Sequence, residues 1–87
     1  MKFDTTRLCG GLAIMASPLE ECSLNMTSAR NVLAAMGTIK ESDELMIVLL
    51  WNEMEVTVYP QGKIMFHPLA DKAVAVRYAN EILNKIK

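Results

Sequence analysis

Eighty-seven residues, 52% of them apolar and 22% charged, are enough for one hydrophobic core and too apolar for a disordered chain. Nine Lys and Arg stand against ten Asp and Glu, a formal charge of −1, so there is no global basic field to gather nucleic acid or anionic lipid, and any such binding must come from local geometry. No apolar run approaches the ~18 residues of a membrane span, and Met1 to Arg7 are too polar for a signal segment, so the expectation is a single domain over 1–87, cytoplasmic and without a membrane partner.

From Phe3 to Ala16 the content is strand-like but interrupted at Gly10-Gly11. A bend in one long strand is the preferred reading, and a tight turn between two short strands is the other. Ser17-Pro18-Leu19-Glu20 has the order of a helix start, with a cap, a proline at the first helical position and a glutamate soon after, and predicts a short helical turn. Asn25 is a second cap, after which Ala29, Val32, Leu33 and Met36 keep helical spacing until Gly37 stops them.

Ile39 to Glu44 reads as a polar connection, and Leu45 to Trp51 as a buried central strand. Asn52-Glu53 is a two-residue turn into the alternating strand Met54 to Tyr59, and Pro60-Gln61-Gly62 turns the chain into Lys63 to His67. Pro68 ends that strand. From about Ala70 to Ile86 the residues Ala75, Tyr78, Ala79, Ile82, Leu83 and Ile86 form one apolar stripe, a long helix that must lie on a sheet.

These elements predict an α+β fold: a curved antiparallel sheet of about four to five strands, with the long C-terminal helix and a shorter first helix packed on one face. Alternation then divides the hairpin, with Met54, Val56, Val58, Ile64 and Phe66 under the helix and Thr57, Tyr59, Lys63, Met65 and His67 on the opposite face. Ordinary surface accounts for such a face as readily as function does. As a functional face it is a binding platform made of those five residues.

Catalysis has little to work with. One histidine, His67, has no signature tying it to Glu53, Glu55 or a cysteine, and Gly10-Gly11 lacks the rest of a phosphate loop. Cys9 and Cys22 form no Cys-x-x-Cys and read as reduced, apolar thiols, so neither a metal nor another cofactor is expected. Of the seven methionines, Met36, Met46 and Met54 fall on core stripes, while Met15, Met26 and Met65 suit an adaptable contact surface.

The run Val56-Thr57-Val58-Tyr59-Pro60-Gln61-Gly62-Lys63-Ile64-Met65, followed by Ala73, Ala75, Arg77-Tyr78-Ala79, Ile82 and Lys85, resembles the second half of one repeat of the TATA-box-binding protein domain. The motif covers the last third of the chain, and the order of elements extends the likeness over most of it. The resemblance implies half of a saddle, with the open sheet face as its concave underside and the long helix on its back. In that family the underside takes the DNA minor groove and inserts phenylalanine wedges. By position Tyr59 falls on one wedge, Met65 on a groove-lining valine and His67 on a threonine, whereas Ala29 stands where the second wedge would be. Basic residues for phosphate are sparse, and Glu53 and Glu55 are expected on the same face, which disfavours nucleic acid. The expected function is a non-enzymatic domain binding a protein partner or itself, the alternative being a nucleic-acid-binding regulator that uses the same face.

Self-association has its own argument. Between Leu45 and Trp51 both alternating sets, Met46-Val48-Leu50 and Ile47-Leu49-Trp51, are apolar, so one of them lacks a cover unless the first helix crosses the open face. A homodimer, packed face to face or edge to edge with Trp51 as interface anchor, would supply it.

Overall fold

The structure, a computed structural model, describes residues 2–8, 12–21 and 23–86. Its elements are β1 (Phe3–Arg7), β2 (Ile14–Pro18), α1 (Met26–Met36), β3 (Thr38–Ser42), β4 (Ile47–Trp51), β5 (Met54–Val58), β6 (Ile64–His67) and α2 (Lys72–Ile86). The strands form one open sheet in the order β1-β2-β6-β5-β4-β3, every neighbour antiparallel. A hairpin enters on one side, α1 carries the chain to the far edge, and four strands return as a meander until β6 lies beside β2.

The sheet is thus α+β as expected but has six strands rather than four or five. Two expectations account for the difference. Phe3 to Ala16 is a pair of strands and not one bent strand; Leu8 N–H donates to Ala13 O at 2.8 Å where the pair closes. The Gly10-Gly11 feature itself, like Cys9 and Cys22, lies outside the described residues. Ile39 to Glu44 is not a mere connection, because Thr38–Ser42 is the edge strand β3. An edge strand with one side in water needs only a single inward apolar residue, here Ile39, and so gives almost no alternation to read.

The helical turn expected at Ser17-Pro18-Leu19-Glu20 is also absent, since Ser17 and Pro18 finish β2. The N–H that proline lacks would point toward β6, where the ladder has already ended at Ala16–Ile64, so no bond is lost.

The helices begin and end for identifiable reasons. Asn25 Oδ1 accepts from the backbone N–H groups of Thr27 and Ser28 at 3.0 and 3.1 Å, and Asp71 Oδ1 does the same for Ala73 and Val74 at 2.9 and 3.3 Å. Gly37 closes α1, its N–H donating to Leu33 O at 3.0 Å, but in an extended conformation (φ −156°) and not the left-handed one that usually selects glycine. What demands glycine is proximity: a Cβ at position 37 would run into the carbonyl oxygen of Leu50. None of the helices is long and apolar enough to cross a membrane among the described residues.

The last two turns of the meander follow from their residues. Asn52 (φ 52°) and Glu53 (φ 63°) form the left-handed pair of a type I′ hairpin between Trp51 and Met54. In the second turn Gly62 N–H donates to Tyr59 O, Gly62 takes φ 89°, and Tyr59 N–H closes on Lys63 O. A β-turn followed by one left-handed glycine is the usual three-residue hairpin connection.

The core lies on one side of the sheet. Ile14, Ala16, Leu49, Val56, Val58, Ile64 and Phe66 are fully buried there beneath Ala29 and Leu33 of α1 and Ala75, Ala79 and Ile82 of α2. α1 rests on β3 and β4, α2 on β1 and β2, and the two helices touch. The first helix therefore shares the back of the sheet with the second, and among the described residues no helix lies on the other face.

Candidate functional site: the uncovered sheet face

Strand register decides which side chains meet on the uncovered face. Thr57 pairs with Met65 on one side and Val48 on the other, and Met65 pairs in turn with Met15. The result is a band across β2, β6, β5 and β4. At its centre Thr57 and Val48 are only 3% and 7% exposed, although no helix covers them. Longer neighbours shield them: a depression of about 470 Å³ has Val48, Thr57 and Met65 along its base and Lys40, Glu55 and Tyr59 around it.

Alternation in the second hairpin follows the expected pattern, with Val56, Val58, Ile64 and Phe66 inside and Thr57, Met65 and His67 opposite. Of the expected binding residues, Thr57, Tyr59 and Met65 come together in the depression. Lys63 and His67 are exposed and do not line it; Lys63 lies beside Pro18, Glu20 and Gln61 in a second shallow cleft. Trp51 is elsewhere. It goes with Ile47 and Leu49 to the helix side, its ring edge-on to Tyr78 of α2 at 5.0 Å between centroids. The set turned to the uncovered face is Met46, Val48 and Leu50, with Leu50 45% exposed.

Met46, expected in the core, lines the depression instead, and Met26, expected at a contact surface, packs against the core from α1. Alternation along Ile14-Met15-Ala16 was enough to turn Met15 outward. Only the pairing of β2 with β6 could bring it beside Met65. Lys40 was not foreseen at all, because it occupies a bulge between Ile39 and Glu41 in a segment read as loop.

The charges on this face largely answer one another. Lys40 Nζ lies 3.1 Å from Glu55 Oε2, both side chains about half exposed, so the cation nearest the depression is already paired. Glu41 adds a further negative charge, and Glu53 is taken up in the turn. The depression offers a thioether-rich apolar band with a rim of one cation and two carboxylates, suited to apolar contact and poorly suited to phosphate.

The chain matches no protein-family model, no curated protein and no solved structure.

His67 stands opposite Glu55 in register, but the Glu55 carboxylate is engaged by Lys40. Among the described residues no group of three or more His, Cys, Asp or Glu gathers as a metal site.

Proposed function

We propose that this protein is a non-enzymatic binding domain, shaped like half of a TATA-box-binding-protein saddle, that engages a protein through its uncovered sheet face. The observation that carries the reading is the band Met15–Met65–Thr57–Val48, which runs across four adjacent strands with no helix above it. Polarity would be the ordinary condition for the second face of a one-layer sheet. Here the centre is apolar and dry, and methionine, with its flexible thioether, is suited to partners of irregular shape. Tyr59 at the edge of the depression adds an aromatic with a polar tip, the residue type favoured in protein interfaces. The paired Lys40–Glu55 and Glu41, which has no ion pair among the described residues, speak against duplex DNA as the ligand of this face. The proposed site of action is the cytoplasm, where Cys9 and Cys22 are expected to be reduced.

A photo-cross-linking amino acid at position 65, compared with the same group at exposed Arg77 of α2, tests the proposal in the producing cell. Protein adducts from position 65 and none from position 77 are the expected result. Adducts from neither position, or equally from both, would overturn it. Salt-sensitive anisotropy changes with labelled duplex or single-stranded DNA would transfer the face to the nucleic-acid alternative.

A further inference from the structure

The two edges of the sheet are built differently. On the β3 edge a bulge at Lys40 interrupts the ladder, a device that keeps a foreign strand from pairing. On the opposite edge β1 is five residues in regular register with β2, with no proline and no bulge. Among the described residues nothing pairs with its outer side.

The hydrogen bonds at its ends reveal which backbone groups are unpaired. Leu8 N–H donates to Ala13 O at 2.8 Å and Leu19 N–H to Lys2 O at 3.0 Å. In an antiparallel ladder successive residues turn their backbone groups to alternate sides. Lys2, Asp4, Thr6 and Leu8 therefore face β2, while Phe3, Thr5 and Arg7 present N–H and C=O to the free edge.

We propose that two copies of this chain join through β1, antiparallel about a two-fold axis with Thr5 opposite Thr5, and extend the sheet from one copy into the next. In this register every outward group finds a partner. Thr5 exchanges both bonds with Thr5 of the second copy, and Phe3 does so with Arg7. Paired residues share a side of the sheet, so the helices of both copies lie on one side and both uncovered faces on the other. Asp4 meets Thr6, and no like charges stand opposite. Neighbouring registers are worse: an axis moved one residue to Asp4 sets Asp4 against Asp4, and an axis moved one residue to Thr6 leaves Phe3 without a partner in the strand. This self-complementarity makes a second copy, rather than an unrelated peptide, the occupant. The inference is independent of what the uncovered face binds, because edge pairing leaves that face open and doubles its extent. It also gives Trp51, in β4 and under the helices, no part in the contact.

Light scattering over a dilution series, combined with residue-resolved amide exchange, tests it. The expected result is a concentration-dependent dimer in which the amides of Phe3, Thr5 and Arg7 exchange slowly when dimeric and fast on dilution, while Asp4 and Thr6 are equally protected in both. Thr5→Pro removes an N–H that faces away from β2, so the variant should fold and remain monomeric at concentrations where the wild type is dimeric. If that variant does not fold, the wild-type exchange pattern decides alone. A wild type that is monomeric at every concentration, a dimer whose Phe3, Thr5 and Arg7 amides stay fast, or a folded Thr5→Pro dimer would each overturn the proposal.

Discussion

The two faces of this sheet are made from the same strands, yet their apolar residues are there for different reasons. Toward the helices Ile14, Leu49, Val56, Ile64 and Phe66 are fully buried, each covered by α1, α2 or both. Toward the other side Thr57 and Val48 are nearly as dry, but only because their neighbours crowd over them, and one row away Leu50 is 45% exposed. The difference teaches that burial alone does not mark a core. On the helix side, removing an apolar group leaves a cavity. On the other side water or a neighbouring side chain can reach the space, so apolar groups there should contribute less to folding.

The largest effect should come from truncating one residue on each side of β6. Phe66→Ala is expected to destabilise the domain by about 3–5 kcal/mol, since the ring lies at the centre of the core beneath Tyr78. Met65→Ala, its neighbour on the other face, should cost only about 1 kcal/mol. Urea denaturation of both variants measures the contrast, and similar losses would mean that the two faces are equally part of the core.

Next in size is a polarity exchange between adjacent residues of β5. Val56→Thr places a hydroxyl in the helix-covered core without a partner and should cost about 1–3 kcal/mol. Thr57→Val adds a methyl where the hydroxyl borders the depression and should change stability by less than about 0.5 kcal/mol. A large loss from Thr57→Val would assign that hydroxyl a structural bond and remove Thr57 from the binding band.

A smaller effect is expected at the turn that sets the register of β4 on β5. Glu53 is held at φ 63°, a region costly for residues with a side chain, and the hairpin type favours glycine there. Glu53→Gly should raise stability by about 0.5–1 kcal/mol, read as a higher urea midpoint with unchanged slope. An accompanying change in the burial of Val56 or Thr57 would show that the register of β4 on β5 depends on more than the turn.

The smallest effect belongs to the ion pair on the uncovered face. Lys40→Ala removes a half-exposed contact and should cost about 0.2–1 kcal/mol, less in high salt. A salt-independent loss would point to packing of the lysine stem over the band rather than to its charge.

Much of this was legible in the residues themselves. Period-two alternation from Met54 to His67, the turn residues Asn52 and Gly62, the cap at Asn25 and the apolar stripe from Ala75 to Ile86 each signal their element within a few positions, because backbone geometry imposes their spacing locally. Three features were not legible. Thr38–Ser42 carries one inward apolar residue and no period; Ser17-Pro18 has the composition of a helix start although it ends a strand; and Asp71, which caps α2, sits among residues that give no sharp boundary.

What the sequence determined by itself is therefore local: which segments alternate, which coil, where they turn, and that one set of hairpin residues is apolar and the other mixed. Only the tertiary structure decided that α1 lies behind the sheet with α2, that Trp51 and not Leu50 faces the helices, and that β2 docks on β6 to set Met15 beside Met65. The physical reason is range. Periodicity and turn chemistry act over a few residues, whereas the side on which a strand's apolar set is buried, and the neighbour beside which a strand lies, depend on contacts between segments distant in the chain.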